Sequence, residues 1–152
     1  MYHFKKSSTI AICTSASFYK KALDIRDILL GRGFKVIIPH NASVMERTGD
    51  YNVSSYKIWY ADPKYYKRKA YLMRKHFKEV EKADAILVIN DKKKGISGYI
   101  GGNVLIEMSL AFHLNKPIYV LNPVAKSLSF YEEVMGMLPI ILKGKIDKIK
   151  NV

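Results

Sequence analysis

Glu107 is the only acidic side chain in the stretch NVLIEMSLAFHL, residues 103–114. Its helical neighbours at i−3 and i+4 are Val104 and Ala111, and Leu114 follows at i+7. That spacing puts a carboxylate on the apolar, inward face of a helix. Burying a carboxylate without a partner is costly. A carboxylate kept in such a place is a candidate nucleophile, or a stabiliser of developing positive charge. The plain structural alternative is an acidic residue near a helix N-terminus, held by the macrodipole.

Just upstream, Gly95, Gly98, Gly101 and Gly102 place four of the nine glycines within eight residues. Glycines let a ligand come close to the backbone. Asn103 suits a helix N-cap, leaving first-turn N–H groups for an anion or a polar oxygen. No GK[ST] follows and the spacing is not GxGxxG, so this is neither a Walker nor a dinucleotide motif. A flexible strand-to-helix loop is the other reading. Gly101, Gly102 and Asn103 are candidate substrate-binding positions, with Tyr99 able to stack on a base.

Ser15 and Ser17 are candidates to bind a phosphate or a ribose hydroxyl, Ser17 otherwise capping the next helix. Asn122 either binds ligand or makes a turn before Pro123. His76, ordinarily titrating near neutrality, suits an acid or a hydrogen-bond donor; otherwise it is a surface histidine on a basic helix. Asp91 reads as a second carboxylate or a solvated turn residue. Lys92–Lys94 offer charge for a phosphate or simply a solvated turn. His113 and Cys13 read as packed residues.

The elements that must position these residues alternate in pattern. Thr9–Thr14, Lys35–Pro39, Ala85–Ile89, Lys116–Asn122 and Pro139–Leu142 read as strands, the buried ones as continuous apolar runs. Helical spacing marks Ser17–Leu30, a long helix after Pro63, Asn103–Leu114 and Ser127–Gly136, while Asn41–Ser54 reads as polar and irregular. Strand and helix alternation predicts an α/β fold: a doubly wound, Rossmann-like or flavodoxin-like parallel sheet of about five strands with helices on both faces. The 152 residues fit one domain, 1–152. Ligands of such sheets bind beyond the carboxyl ends of the strands. The candidates cluster there.

Charge and cysteine bound the function classes. Lys+Arg number 26 against 13 Asp+Glu, a net +13, which asks for an anionic partner. A single Cys excludes an internal disulfide framework, predicts no cysteine-based zinc site and suits the cytoplasm. The four His match no metal-ligand spacing. No apolar run is long enough to span a bilayer, and Lys5 and Lys6 before TIAICTSA read as the approach to a first strand, not a signal peptide. Between Tyr56 and Lys82, lysines interleave with tyrosines, a pattern that also suits nucleic-acid binding. No nucleic-acid motif accompanies it, which weighs against that partner.

The stretch HFKEVEKADAILVIN…GYIGGNVLIEMSLAFHLNKPIYVLNP resembles the nucleoside 2-deoxyribosyltransferase superfamily, which includes 2′-deoxynucleoside 5′-monophosphate N-glycosidases. The shared pattern is Ala83-Asp84 ending a helix, a buried strand, a polar loop, then Glu107, Ser109, Ala111, Lys116 and Pro117. TIAICTSASF fits the opening strand and turn, and the likeness spans about residues 8–123. It implies Glu107 as the nucleophile that attacks C1′ of a nucleoside or nucleotide, homodimers or higher homo-oligomers, and no metal or cofactor. The pattern departs in two places: His76 stands where the family carries Asp, eight residues before Asp84, and Gly101 stands for an Asp six residues before the nucleophile. GGNVLIE is also similar to the Gly-Gly-x-Gly-Thr-x-Glu signature of cytokinin-activating phosphoribohydrolases, with Val104-Leu105 in place of Gly-Thr. A non-catalytic nucleotide-sensing module on the same fold is the rival reading.

Overall fold

The computed structural model describes residues 7–150; His3, Lys5 and Lys6 lie outside the described residues. Five strands form one sheet: β1 (Thr9–Thr14), β2 (Lys35–Ile37), β3 (Ala85–Ile89), β4 (Ile118–Val120) and β5 (Ile140–Ile141). Every pairing is parallel, in the order β2-β1-β3-β4-β5. This is the flavodoxin-like order, in which the strand sequence reverses between β1 and β3 and opens a crevice at their carboxyl ends. Thr14 pairs with Ile89 at that end.

The helices are α1 (Tyr19–Gly31), α2 (His40–Thr48), α3 (Tyr66–Lys82), α4 (Gly102–His113) and α5 (Tyr131–Gly136). On one face of the sheet, Ile10, Ile12, Leu87 and Ile89 pack against Ala22, Ile25 and Leu29 of α1. On the other, Ala11, Cys13, Ile86 and Val88 pack against Val80 of α3 and Val104, Met108 and Ala111 of α4. Strand alternation therefore sends Cys13 toward α3 and α4.

Several local expectations change. Residues 41–54 are not all irregular: α2 forms there, ended by Gly49 in the left-handed conformation at φ 74°. Only Ala42 and Met45 of α2 are buried, too few apolar positions to show a stripe in sequence. Ser17 does not cap α1; it lies exposed inside a 3-10 turn, Ala16–Phe18, through which the chain enters the helix. His113 is exposed rather than packed, at the last position of α4.

Gly98 serves packing of the chain on itself. At φ +78°, a Cβ there would lie 2.1 Å from the Pro123 carbonyl oxygen, so no other residue fits. Among the described residues, no helix is long and apolar enough to cross a membrane.

Candidate active site

Three elements deliver three side chains to one point. β1 carries Cys13, its next-to-last residue, facing the two helices. α3 turns His76 and Val80 inward, one turn apart. α4 buries Val104, Met108 and Ala111 and sets Glu107 on the flank of that stripe, beside α3. Cys13 Sγ lies 3.6 Å from His76 Nε2, and His76 Nε2 lies 3.6 Å from Glu107 Oε2. One donor atom from each of the three falls within 4.8 Å of the others. Behind them, His76 Nδ1 hydrogen-bonds Glu79 Oε2 at 2.8 Å, and Lys75 Nζ donates to the other Glu79 oxygen at 2.7 Å.

Burial sets the electrostatics. The Glu107 side chain is 13 % exposed and its only ion-pair partner among the described residues is His76. Burial raises the Glu107 carboxyl above its ordinary range; His76, the Cys13 thiol and Lys69 oppose this without cancelling it. Burial alone lowers His76, but the Glu79 hydrogen bond and the charges of Glu107 and Glu79 outweigh it, so His76 is raised overall. The Cys13 thiol is pushed well up, first by burial and then by the charge of Glu107. Tyr19 is raised for the same reasons.

Glu107 and His76 line a cavity of about 350 Å³, within the range of roughly 300–1,000 Å³ usual for small-molecule sites. Thr14 and Ser15 at the end of β1 form one wall, and Tyr99, Gly101, Gly102 and Asn103 a second. The third comes from the basic, aromatic segment: Tyr56, Lys57, Trp59 and Tyr60, with Lys69 and Lys75 of α3. Lys69 Nζ stands 5.0 Å from the Trp59 ring centre and donates to Asn103 Oδ1 at 3.1 Å. Lys93 Nζ donates to Ser15 Oγ at 2.8 Å and stands 5.6 Å from the Tyr99 ring centre.

Glu107, His76, Ser15, Tyr99, Gly101, Gly102 and Asn103 thus come together around one cavity. Asn103 reaches it differently from expectation: Gly101 holds the N-cap of α4, and the Asn103 side chain binds Lys69 instead. Asp91, Asn122 and Ser17 do not line the cavity. Asp91 Oδ1 accepts from Lys21 Nζ at 2.8 Å and from Asn122 Nδ2 at 3.1 Å. Asn122 is further bound to Asn90, so these residues tie the ends of β3 and β4 together.

Sequence reasoning missed Cys13, Glu79 and the wall from Tyr56 to Tyr60. The wall had a signal, the crowding of lysine with aromatics, but it read as a nucleic-acid surface or a solvated helix face. Cys13 had none, since 63 residues separate it from His76.

No protein-family model matches the chain, and no curated protein matches it in sequence. Among solved structures, it is similar to a 2-deoxyribosyltransferase from the psychrotolerant bacterium Bacillus psychrosaccharolyticus: 14 % identity, TM-score 0.49, covering 88 % of this chain and 98 % of that one. It is also similar to a conserved protein from Enterococcus faecalis V583, at 17 % identity and TM-score 0.43, covering 88 % of this chain and 75 % of that one. A third is the flavoenzyme NAD(P)H:(acceptor) oxidoreductase FerB from Paracoccus denitrificans, at 17 % identity and TM-score 0.39, covering 75 % of this chain and 59 % of that one.

Proposed function

We propose that this chain cleaves, or transfers at, the N-glycosidic bond of a nucleoside or nucleoside 5′-monophosphate through a covalent glycosyl ester on Glu107. The observation that carries the reading is the placement of Glu107. It is a nearly buried carboxylate, paired with no lysine or arginine among the described residues, lining a cavity of nucleoside size. The sequence pattern around Glu107 supports the same bond.

In the first step a Glu107 oxygen attacks C1′ and the C1′–N bond breaks, its electron pair leaving with the base. Water or a second base then takes the sugar from the ester, restoring the carboxylate and retaining configuration at C1′. The transition state carries positive charge on the sugar. A carboxylate in a desolvated cavity stabilises that charge far better than one in water.

His76 acts on the nucleophile's side. Attack must come from the face opposite the base, and His76 Nε2 contacts Glu107 itself at 3.6 Å. That position suits orienting the carboxylate or holding a sugar hydroxyl, and it lies on the wrong face to protonate the departing base. Glu79 on Nδ1 fixes the ring. Lys57, Lys69, Lys93 and Lys94 line the cavity and favour an anionic substrate, hence a monophosphate. Because the lysine–aromatic segment forms a cavity wall, a small molecule fits it better than a nucleic-acid strand.

The test is a panel of nucleosides and 5′-monophosphates, with ribose and deoxyribose, incubated with the protein with and without an acceptor base. Chromatography reads the products. Free or exchanged base from at least one deoxynucleotide is expected. Tight nucleotide binding with no base release from any member would establish a sensing module instead.

A further inference from the structure

We propose that Cys13, His76 and Glu107 form a three-ligand site for one zinc-class divalent ion, with Glu79 as the carboxylate behind His76 and the fourth coordination position open to the cavity. The two donor separations that meet at His76 Nε2 are those of edges of one tetrahedron, and the third donor pair lies within 4.8 Å. With Zn–S of about 2.3 Å and Zn–N and Zn–O of about 2.0–2.2 Å, tetrahedral ligands stand about 3.6 Å apart for S and N and about 3.4 Å apart for N and O. Here Sγ to Nε2 is 3.6 Å, Nε2 to Oε2 is 3.6 Å, and all three donors lie within 4.8 Å.

The donor chemistry agrees with the spacing. A thiolate, an imidazole and one carboxylate select a borderline-soft ion over Mg²⁺ or Ca²⁺, which demand oxygen shells. His76 already carries the partner such a ligand needs. Its Nδ1 faces Glu79 Oε2 at 2.8 Å, leaving Nε2 for the metal, and Lys75 holds the second Glu79 oxygen. Such carboxylate–histidine pairs orient metal-binding imidazoles and strengthen them as ligands. The three ligands stand on a strand and two packed helices rather than on loops, and the cavity supplies the path of entry.

Charge balances as well. On binding, Cys13 gives up its thiol proton and His76 releases any proton on Nε2, both to solvent, while the Nδ1 proton stays on the ring and is donated to Glu79. One thiolate and one carboxylate then neutralise the dication, a neutral set suited to a buried place. The bound state removes Glu107 from chemistry. Zinc would therefore switch off base release, a consequence that rests on the function proposed above, whereas the site itself does not.

The full-length protein, stripped with chelator, is dialysed against Zn²⁺ and assayed by atomic emission, with Co²⁺ as the spectroscopic probe. The expected result is one zinc per chain and a cobalt complex with a thiolate-to-metal charge-transfer band. Cys13→Ser should abolish the band and weaken zinc at least tenfold. Glu79→Gln should weaken it about 10–100-fold. Mg²⁺ should not compete. Circular dichroism checks that each variant folds; should Cys13→Ser fail to fold, the wild-type band and Glu79→Gln decide. No stoichiometric zinc, or a cobalt complex lacking the thiolate band, overturns the site. Zinc bound with that band while base release continues at the metal-free rate leaves the site standing and overturns Glu107 as nucleophile.

Discussion

At the ends of β3 and β4, Asn90 and Asn122 exchange hydrogen bonds of 2.9, 2.9 and 3.3 Å, and Asp91 is held by Lys21 at 2.8 Å and Asn122 at 3.1 Å. At the end of β1, Cys13 and Glu107 each stop 3.6 Å from the same histidine nitrogen. Both clusters are polar, both sit at the carboxyl edge of the sheet, and each holds residues that the sequence marks as candidates, Asp91 and Asn122 in the first and His76 and Glu107 in the second. The first spends its polar groups mainly on one another, on backbone and on Lys21, and so fastens two strands. The second holds a charge in a nearly dry place with its bonding capacity partly open toward a cavity. A polar group bonded mainly within the chain has less left for a ligand. Partial satisfaction in a buried place marks a site.

Substitutions should separate the two clusters, and the largest effect belongs to the second. Glu107→Gln should lower base release at least about a thousandfold, as loss of a nucleophile does, without lowering the melting temperature. Removing that charge relieves the burial that raises the Glu107 pKa. Retained activity, or a destabilised fold, would erase the contrast.

Next comes the first cluster. Asn90 is fully buried, and Asn90→Ala leaves the backbone groups of Asn122 without partners. It should cost about 1–3 kcal/mol of stability, read by denaturant unfolding, while the kcat/KM of the folded fraction stays within about twofold. A large kcat effect would merge the clusters.

A smaller effect concerns pH, measured with chelator present. Glu107 attacks only as the anion, and its pKa is raised, so activity should climb with pH through a midpoint above the ordinary carboxylate range. Lys69 lowers that pKa, so Lys69→Met should move the midpoint further up. Stability runs the other way. A raised folded-state pKa gives a contribution complete below the unfolded value and lost as pH rises through the folded one. Glu107→Gln should flatten that part of the curve.

The smallest effect is expected at the rim of the first cluster. The Lys21–Asp91 pair is 44 % and 27 % exposed, so Lys21→Ala should cost under about 1 kcal/mol and leave activity unchanged.

Legibility in the sequence follows the same physics. β1 and β3 were read to the residue, because a strand buried on both faces is an unbroken apolar run with polar ends. α4 was read to within one residue at each end, from its apolar stripe and the glycines before it. α2 was not legible, since it buries only two side chains. Glu107 stood out because charge is rare on an apolar face. Cys13 could not stand out, since a buried cysteine in a strand looks like core until β1, α3 and α4 converge on it. Asp91 and Asn122 are the opposite case. Their position at strand ends is visible in sequence, but the bonds that hold them join β3 to β4 and α1, and exist only in three dimensions.

The central claim is that Glu107 carries the sugar. Acid-quenched intact-mass spectrometry during turnover, across the nucleoside and monophosphate panel, tests it most directly. The expected result is a protein species heavier by one sugar or sugar-phosphate residue, mapped by peptide sequencing to Glu107 and absent from Glu107→Gln. Base released by Glu107→Gln at the wild-type rate, or an adduct mapped to another residue, would contradict it.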